Sequence, residues 1–181
     1  MGKPKASDPA KLFMSLIARE DTALHGAVDE LRSLFGEVDF VSEKLAFDFT
    51  RYYAEEMGSP LHRRFITFER LIDRAALSDI KLVTNGLEEK RGGPAGNRRV
   101  NVDPGYVCLE HVILVTTKGY SHRLYLRDGI YGDLTLIFRN KSFQPLEWTY
   151  PDYRQPEVIG LFNQFRKRYL EDLRGRSVDP C

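Results

Sequence analysis

Residues 97–153 crowd together the side chains best able to do chemistry: Arg98, Arg99, Asn101, Asp103, His122, Arg123, Tyr125, Tyr131, Asp133, Trp148, Tyr150 and Asp152. Arginine forks match the geometry of phosphate and carboxylate oxygens. Tyrosine and tryptophan faces stack on bases and cations, and a histidine titrates near neutrality. These types together fit an anionic, phosphate-bearing ligand, either a nucleotide or RNA, with Arg98, Arg99, Asn101, Arg123, Tyr125, Tyr131, Trp148, Tyr150 and Asp152 as its contacts. A second chemistry is Mg²⁺-assisted hydrolysis or transfer at a phosphate ester. Asp103 or Asp133 would then be general base or Mg²⁺ ligand, His122 the general acid and Arg123 the charge clamp. That reading requires these side chains to converge in one pocket. A third dispenses with a small molecule: residues 148–153 form a protein-binding hot spot, and the Asp128-Gly129 hairpin offers a strand edge to a partner. The bland alternative for residues 148–153 is core closure, with Trp148 buried beneath the last helix.

Spacing excludes several familiar chemistries. No Gly-x-x-x-x-Gly-Lys-Ser/Thr run exists to wrap phosphates. Asn140-Lys141-Ser142-Phe143 begins like a guanine-reading motif but has Phe143 where the carboxylate belongs, so a standard GTPase is excluded. Lys118-Gly119-Tyr120-Ser121-His122-Arg123-Leu124-Tyr125 echoes the aromatic strand motif of RNA-binding sheets, yet Arg123 and His122 replace apolar positions. None of His25, His62, His111 or His122 has Thr or Ser two residues on, which rules out the two-histidine phosphoesterases. No histidine pair has ligand spacing, and Cys108 has no partner at ligand distance in sequence, so no metal site is expected from motifs. Asp103 and Asp133 could still meet in space on Mg²⁺. Otherwise Asp103 serves its own Asp-Pro-Gly turn and Asp133 sits on a solvated strand face.

The elements that must position these residues come from an ordinary globular composition, 42% hydrophobic and 29% charged over 181 residues. A net charge of +1 gives no global pull toward nucleic acid or acidic membranes. Cys108 and Cys181 are poorly placed for a disulfide, residues 1–10 lack the apolar run of a secretory signal, and no segment has the length of a membrane helix. The expectation is a cytoplasmic protein without membrane contact, with one domain over 11–175, an extended or disordered N-terminus over 1–10 and a frayed tail over 176–181.

Residues 12–18 are a short continuous apolar run and read as a buried central strand. Asp21-Thr22 offers an N-cap for a helix whose Leu24, Ala27, Val28, Leu31, Leu34 and Phe35 recur at helical spacing before Gly36. Residues 38–41, 45–49 and 64–71 read as strands, 51–57 as a helical turn, and Ala76, Leu77, Ile80, Val83 and Leu87 mark a second helix. A flexible loop at 92–96 and a strand at 99–102 follow, giving β-α-β-β-α-β. Asp103-Pro104-Gly105 signals a turn, and residues 109–117 suit either strand or short helix. Arg127-Asp128-Gly129 signals a hairpin, and Pro156 opens a last helix with Val158, Leu161, Phe162, Phe165 and Tyr169 on one face. The predicted fold is α+β, a ferredoxin-like core with an appended β-hairpin and a C-terminal helix.

The strings Asn101-Val102-Asp103-Pro104-Gly105-Tyr106, Ser121-His122-Arg123-Leu124-Tyr125-Leu126, Gly129-Ile130-Tyr131 and Trp148-Thr149-Tyr150-Pro151-Asp152-Tyr153 are distinctive in combination. With Tyr52-Tyr53-Ala54-Glu55-Glu56-Met57-Gly58 they resemble an uncharacterised prokaryotic family, domain of unknown function 4416. The resemblance extends over about residues 12–173. Members are sometimes labelled GTP-binding, a label with no motif to place on these residues. The resemblance implies one full-length domain and no established activity or catalytic residue.

Overall fold

The computed structural model describes residues 2–50, 52–93 and 97–176. Part of the expected 92–96 loop, the first residue of the 51–57 turn and the expected tail beyond 176 lie outside the described residues. In chain order the elements are β1 (Ala10–Ala18), α1 (Asp21–Phe35), β2 (Val38–Val41), β3 (Leu45–Ala46), α2 (Ala54–Met57), β4 (His62–Ile72), α3 (Leu77–Lys90), β5 (Val100–Val107), β6 (His111–Thr116), β7 (Arg123–Arg127), β8 (Ile130–Arg139), β9 (Ser142–Pro145) and α4 (Pro156–Arg176). The strands form one antiparallel sheet in the order β2-β4-β1-β5-β6-β8-β7, with β3 on β4 and β9 on β8. The molecule is a mixed helix-and-strand protein built on a large antiparallel sheet.

Strand β1 is buried along its whole length because both of its faces are covered. Leu12, Met14, Leu16 and Ala18 meet Leu24, Ala27 and Leu31 of α1 and Ile80 and Leu87 of α3. Phe13 points the other way into a second core with Phe65, Phe162 and Phe165, its ring edge-on to Phe162 at 4.9 Å. Each such side chain contributes about 1.5–3 kcal/mol on burial. An apolar run without alternation is what a strand sandwiched between helices requires. Lys11 is buried with them, its charge matched by Asp39 of β2 and by Asp172 of α4 at 2.8 Å.

Several local expectations are corrected. Strand pairing over 45–49 stops at Ala46, because Phe47 turns inward onto Ile17, Met57 and Leu61. The residue before α1 is Glu20, and Asp21 is its first helical residue, ion-paired with Lys44 at 2.8 Å. Gly36 does end α1, with φ 99° and its N–H on Arg32 O. The largest correction is that Asp103-Pro104-Gly105 is no turn, since β5 runs straight through it. Strand β6 pairs with β5 only at Gly105, Tyr106 and Val107, so Pro104 has a paired neighbour on the β1 side alone, where a missing N–H is tolerated. At Gly105 a Cβ would stand 2.4 Å from Ile113 O and 2.6 Å from the Phe13 ring, so only glycine lets the two strands close.

Of residues 109–117, His111–Thr116 form strand β6, as their β-branched content favours, while Leu109 and Glu110 belong to the turn before it. Asp128 and Gly129, at φ 51° and 74°, make the expected hairpin. A second such turn at Asn140 and Lys141, φ 51° and 66°, leads into β9 and explains residues that superficially suggested guanine recognition.

Candidate functional site

Because β5 and β6 pair over only three residues, they part beyond Gly105 and Leu114. From one side α3 presents Lys81, Asn85 and Glu88 to the gap, spaced i, i+4, i+7 and therefore on one helix face. The segments around 47–53 and 150–153 close the other side. The result is a cavity of about 420 Å³, within the range of small-molecule sites.

Of the residues singled out from sequence, Arg98, Asn101, Asp103, Asp133, Tyr150 and Asp152 line this cavity. His122 and Arg123 stand behind it on Asp133, with Nε2 at 3.3 Å and Nε at 2.9 Å from the same carboxylate oxygen. Arg123 also donates to Tyr150 OH and, at 2.9 Å, to Lys118 O, which ties β7 to the 150–153 segment. Arg99 is elsewhere, on Glu20 at 2.6 Å. Tyr125 and Tyr131 pack edge-on against each other across the β7–β8 hairpin at 5.4 Å, and neither lines the cavity.

Trp148 is not under the last helix. It is 39% exposed, stacks on His122 at 5.3 Å, and donates Nε1–H to Leu134 O at 2.8 Å. Tyr153 closes the core instead, packed on Phe65 and Phe162. Asp133 is likewise not on a solvated face but 3% exposed, and Asp103 serves no turn.

The cavity wall is electrostatically dense and mostly self-paired. Arg98 holds Glu56 through Nε and an Nη atom, reaches Glu88 at 3.1 Å and donates to Asn101 Oδ1 at 2.8 Å. Asn101 passes the chain on to Asp103 at 2.6 Å. Lys81, buried, donates to Val102 O at 3.0 Å and Asp103 Oδ1 at 3.4 Å. Burial pushes the Glu88 carboxyl above its ordinary pKa, against the pull of Lys81 and of the Val102 N–H. The hydrogen bonds from Arg98 hold Glu56 below its own.

Arg63, also buried, is paired with Asp152 and ringed by Phe47, Tyr153 and Phe65, whose centroids lie 4.5, 5.1 and 5.5 Å from its guanidinium carbon. Its Nε, Tyr153 OH and Ser15 Oγ are buried without a well-formed hydrogen bond among the described residues; Ser15 lies beside Tyr153. Burial raises the tyrosine pKa of Tyr53, Tyr150 and Tyr153. Lys118, alone among the cations lining the cavity, has no carboxylate partner among the described residues and lies 4.0 Å over the Tyr52 ring.

Sequence reasoning missed Arg63, Lys81, Glu88 and Lys118. The one visible signal was the polar stripe Lys81-Asn85-Glu88 beside the apolar stripe of α3; Arg63 merely precedes Phe65 on the same face of β4. Cys108, without a ligand partner by motif spacing, lies buried at the β5–β6 turn next to Glu110 and His111.

Fold and site together define a mixed α/β protein whose polar cleft opens where two neighbouring strands of an antiparallel sheet part. The chain belongs to the family described as Domain of unknown function (DUF4416), whose model matches residues 8–169. No curated protein and no solved structure matches it. Among the described residues no helix is long and apolar enough to cross a membrane.

Proposed function

We propose that the β5–β6 cleft binds a small phosphate-bearing anion, with a nucleotide as the best fit. The observation that carries this reading is a set of donors without carboxylate partners or well-formed hydrogen bonds inside an otherwise self-paired wall. Among the described residues Lys118 Nζ has no carboxylate partner and meets only Tyr52, while Arg63 Nε and Tyr153 OH are buried without a well-formed hydrogen bond, Tyr153 having Ser15 beside it. A buried unmade hydrogen bond costs about 1–3 kcal/mol, which a ligand oxygen would recover. Phe49, Tyr52, Tyr53 and Tyr150 give the same cavity an aromatic wall for a base. A cleft of this size suits a mononucleotide rather than a strand of RNA. The test is a thermal-shift screen over nucleotides, phosphosugars and short RNAs with wild type and Lys118→Ala. A hit that stabilises wild type and is weakened by the substitution supports the reading; no stabilisation by any anion refutes it.

A phosphoester hydrolase or transferase is the second reading, favoured by Asp103 and Asp133 sharing one cavity with His122 on the second of them. Asp103, with 29% of its side chain exposed, is the better placed to meet Mg²⁺ or an attacking water. A protein-interaction role is supported by β7, an outer strand of the sheet with Leu124 76%, Tyr125 61% and Leu126 45% exposed. The ferredoxin-like reading of the first hundred residues draws support from the order β2-β4-β1-β5 with α1 and α3 on one face. A cytoplasmic setting agrees with the free thiol of Cys108.

A further inference from the structure

At the opposite end of the β5–β6 pair from the cleft, the two strands are joined by a two-residue turn. Cys108 N–H donates to His111 O at 3.0 Å, so Cys108 and His111 close the ladder facing each other while Leu109 and Glu110 form the turn. Facing residues at such a position place their Cβ atoms about 4.5–5.5 Å apart. Cys108 Sγ, a Glu110 carboxylate oxygen and a His111 ring nitrogen accordingly lie within 4.8 Å of one another, the one such group of three found among the described residues.

The turn is held from outside. Phe138 N–H donates to Glu110 O at 2.8 Å and Arg166 Nε to Leu109 O at 2.9 Å, so the backbone bearing the three side chains is fixed by β8 and α4. His111 Nε2 lies 3.2 Å from Tyr106 OH, which leaves Nδ1 as the ring nitrogen without a hydrogen bond among the described residues. A metal-ligating histidine is oriented by just such a partner on its other nitrogen. Cys108 is buried while Glu110 is exposed, giving the group a dry side and an entry side.

We propose that Cys108, Glu110 and His111 form a site for a borderline divalent transition metal, with Zn²⁺ as the reference ion. Thiolate and imidazole are the donors that select Zn²⁺ and its neighbours over Mg²⁺ and Ca²⁺, and a carboxylate is a third ligand that Zn²⁺ accepts. Three protein ligands leave the fourth tetrahedral position to solvent. On binding, a Zn–Sγ bond replaces the Cys108 S–H bond, the proton leaves to solvent, and no electrons move. Thiolate and carboxylate neutralise the ion, so the complex can sit beside Arg74, which lies over the Tyr106 ring at 5.8 Å. This assignment is independent of what the cleft binds.

The test uses the full chain in a Cys181→Ser background, so that Cys108 is its single thiol, stripped of metal and titrated with Co²⁺ as a spectroscopic probe. The expected result is one equivalent of Co²⁺ per chain with a thiolate-to-cobalt charge-transfer band, displaced by Zn²⁺. Cys108→Ser should abolish the band. Because Cys108 is buried and its replacement could disturb folding, the exposed Glu110→Gln and the supporting Tyr106→Phe are tested beside it. Each should keep the far-UV spectrum and weaken Zn²⁺ binding by about 10–100-fold. Absence of the band, its survival in Cys108→Ser, or unchanged affinity in both Glu110→Gln and Tyr106→Phe would overturn the assignment.

Discussion

Replacing Arg63 by methionine tests how the cleft is built, because it removes one charge and roughly preserves volume. Arg63 and Asp152 are 6% and 7% exposed, and no other hydrogen bond to the Asp152 carboxylate is observed among the described residues. The substitution therefore strands a buried carboxylate, which costs about 3–5 kcal/mol. It also removes a guanidinium from three aromatic faces, each contributing about 0.5–1 kcal/mol. The expected loss is about 5 kcal/mol or more, a shift of about 2.5 M or more in the urea midpoint at a slope of about 2 kcal/mol/M. Asp152→Asn should cost less, about 1.5–3 kcal/mol, since the amide oxygen still accepts from Arg63. In the double variant the stranded charge is gone, so the two losses should fall short of additive by at least about 2 kcal/mol. Urea unfolding followed by circular dichroism measures all four proteins. A loss below about 1 kcal/mol for Arg63→Met, or strict additivity, would refute the claim that this pair anchors the cleft.

Tyr153→Phe deletes a buried hydroxyl without a well-formed hydrogen bond; it should leave ligand-free stability unchanged or raise it by up to about 1 kcal/mol, and a clear loss in thermal denaturation would show that the hydroxyl is satisfied. Gly105→Ala forces a Cβ into Ile113 O and the Phe13 ring, and should cost about 3 kcal/mol or more by urea unfolding. Glu56, held below its ordinary pKa of 4.5 by Arg98, carries fewer protons folded than unfolded, so its contribution is present above about pH 4.5 and is lost as pH falls through the folded value. Glu56→Gln should flatten that acid limb of the stability–pH curve. The effect should total under about 1 kcal/mol, because the pair is about a quarter to a third exposed. Leu124→Lys, on the exposed β7, should change stability by less than about 0.5 kcal/mol; any self-association seen by light scattering should weaken with it if that edge is an interface.

The elements with strong periodicity were legible in the sequence. The unbroken run of β1 announced burial on both faces, and the α1 and α4 stripes named most of the residues that pack. Asp103-Pro104-Gly105 misled because its local turn chemistry is overridden by register: β1 pairs along its length, and Gly105 is needed for close approach rather than for a bend. The site was half legible. Asp103, Asp133, Asp152 and Arg98 come from separate elements, and only the parting of β5 and β6 explains why they meet. Arg63 was invisible, and Lys81 showed only as part of a polar stripe, because a buried cation on an amphipathic element reads like a surface one until its carboxylate is known. Trp148 was misplaced because aromatic density does not distinguish the ring that closes a core from the one that stacks on a rim histidine.

The most direct measurement of the central claim is amide chemical-shift mapping of the ¹⁵N-labelled chain during titration with ATP and GTP. Saturable shifts are expected at Thr116, Thr117, Lys118, Asp152 and Tyr153, which line the cleft. Lys118→Ala should weaken them by about 10-fold or more, the loss of one charge-assisted contact. Contradiction would take the form of no saturable shift with either nucleotide, or of shifts confined to the shallow surface around Thr22, Lys90 and Arg99 at the C-terminal end of α3.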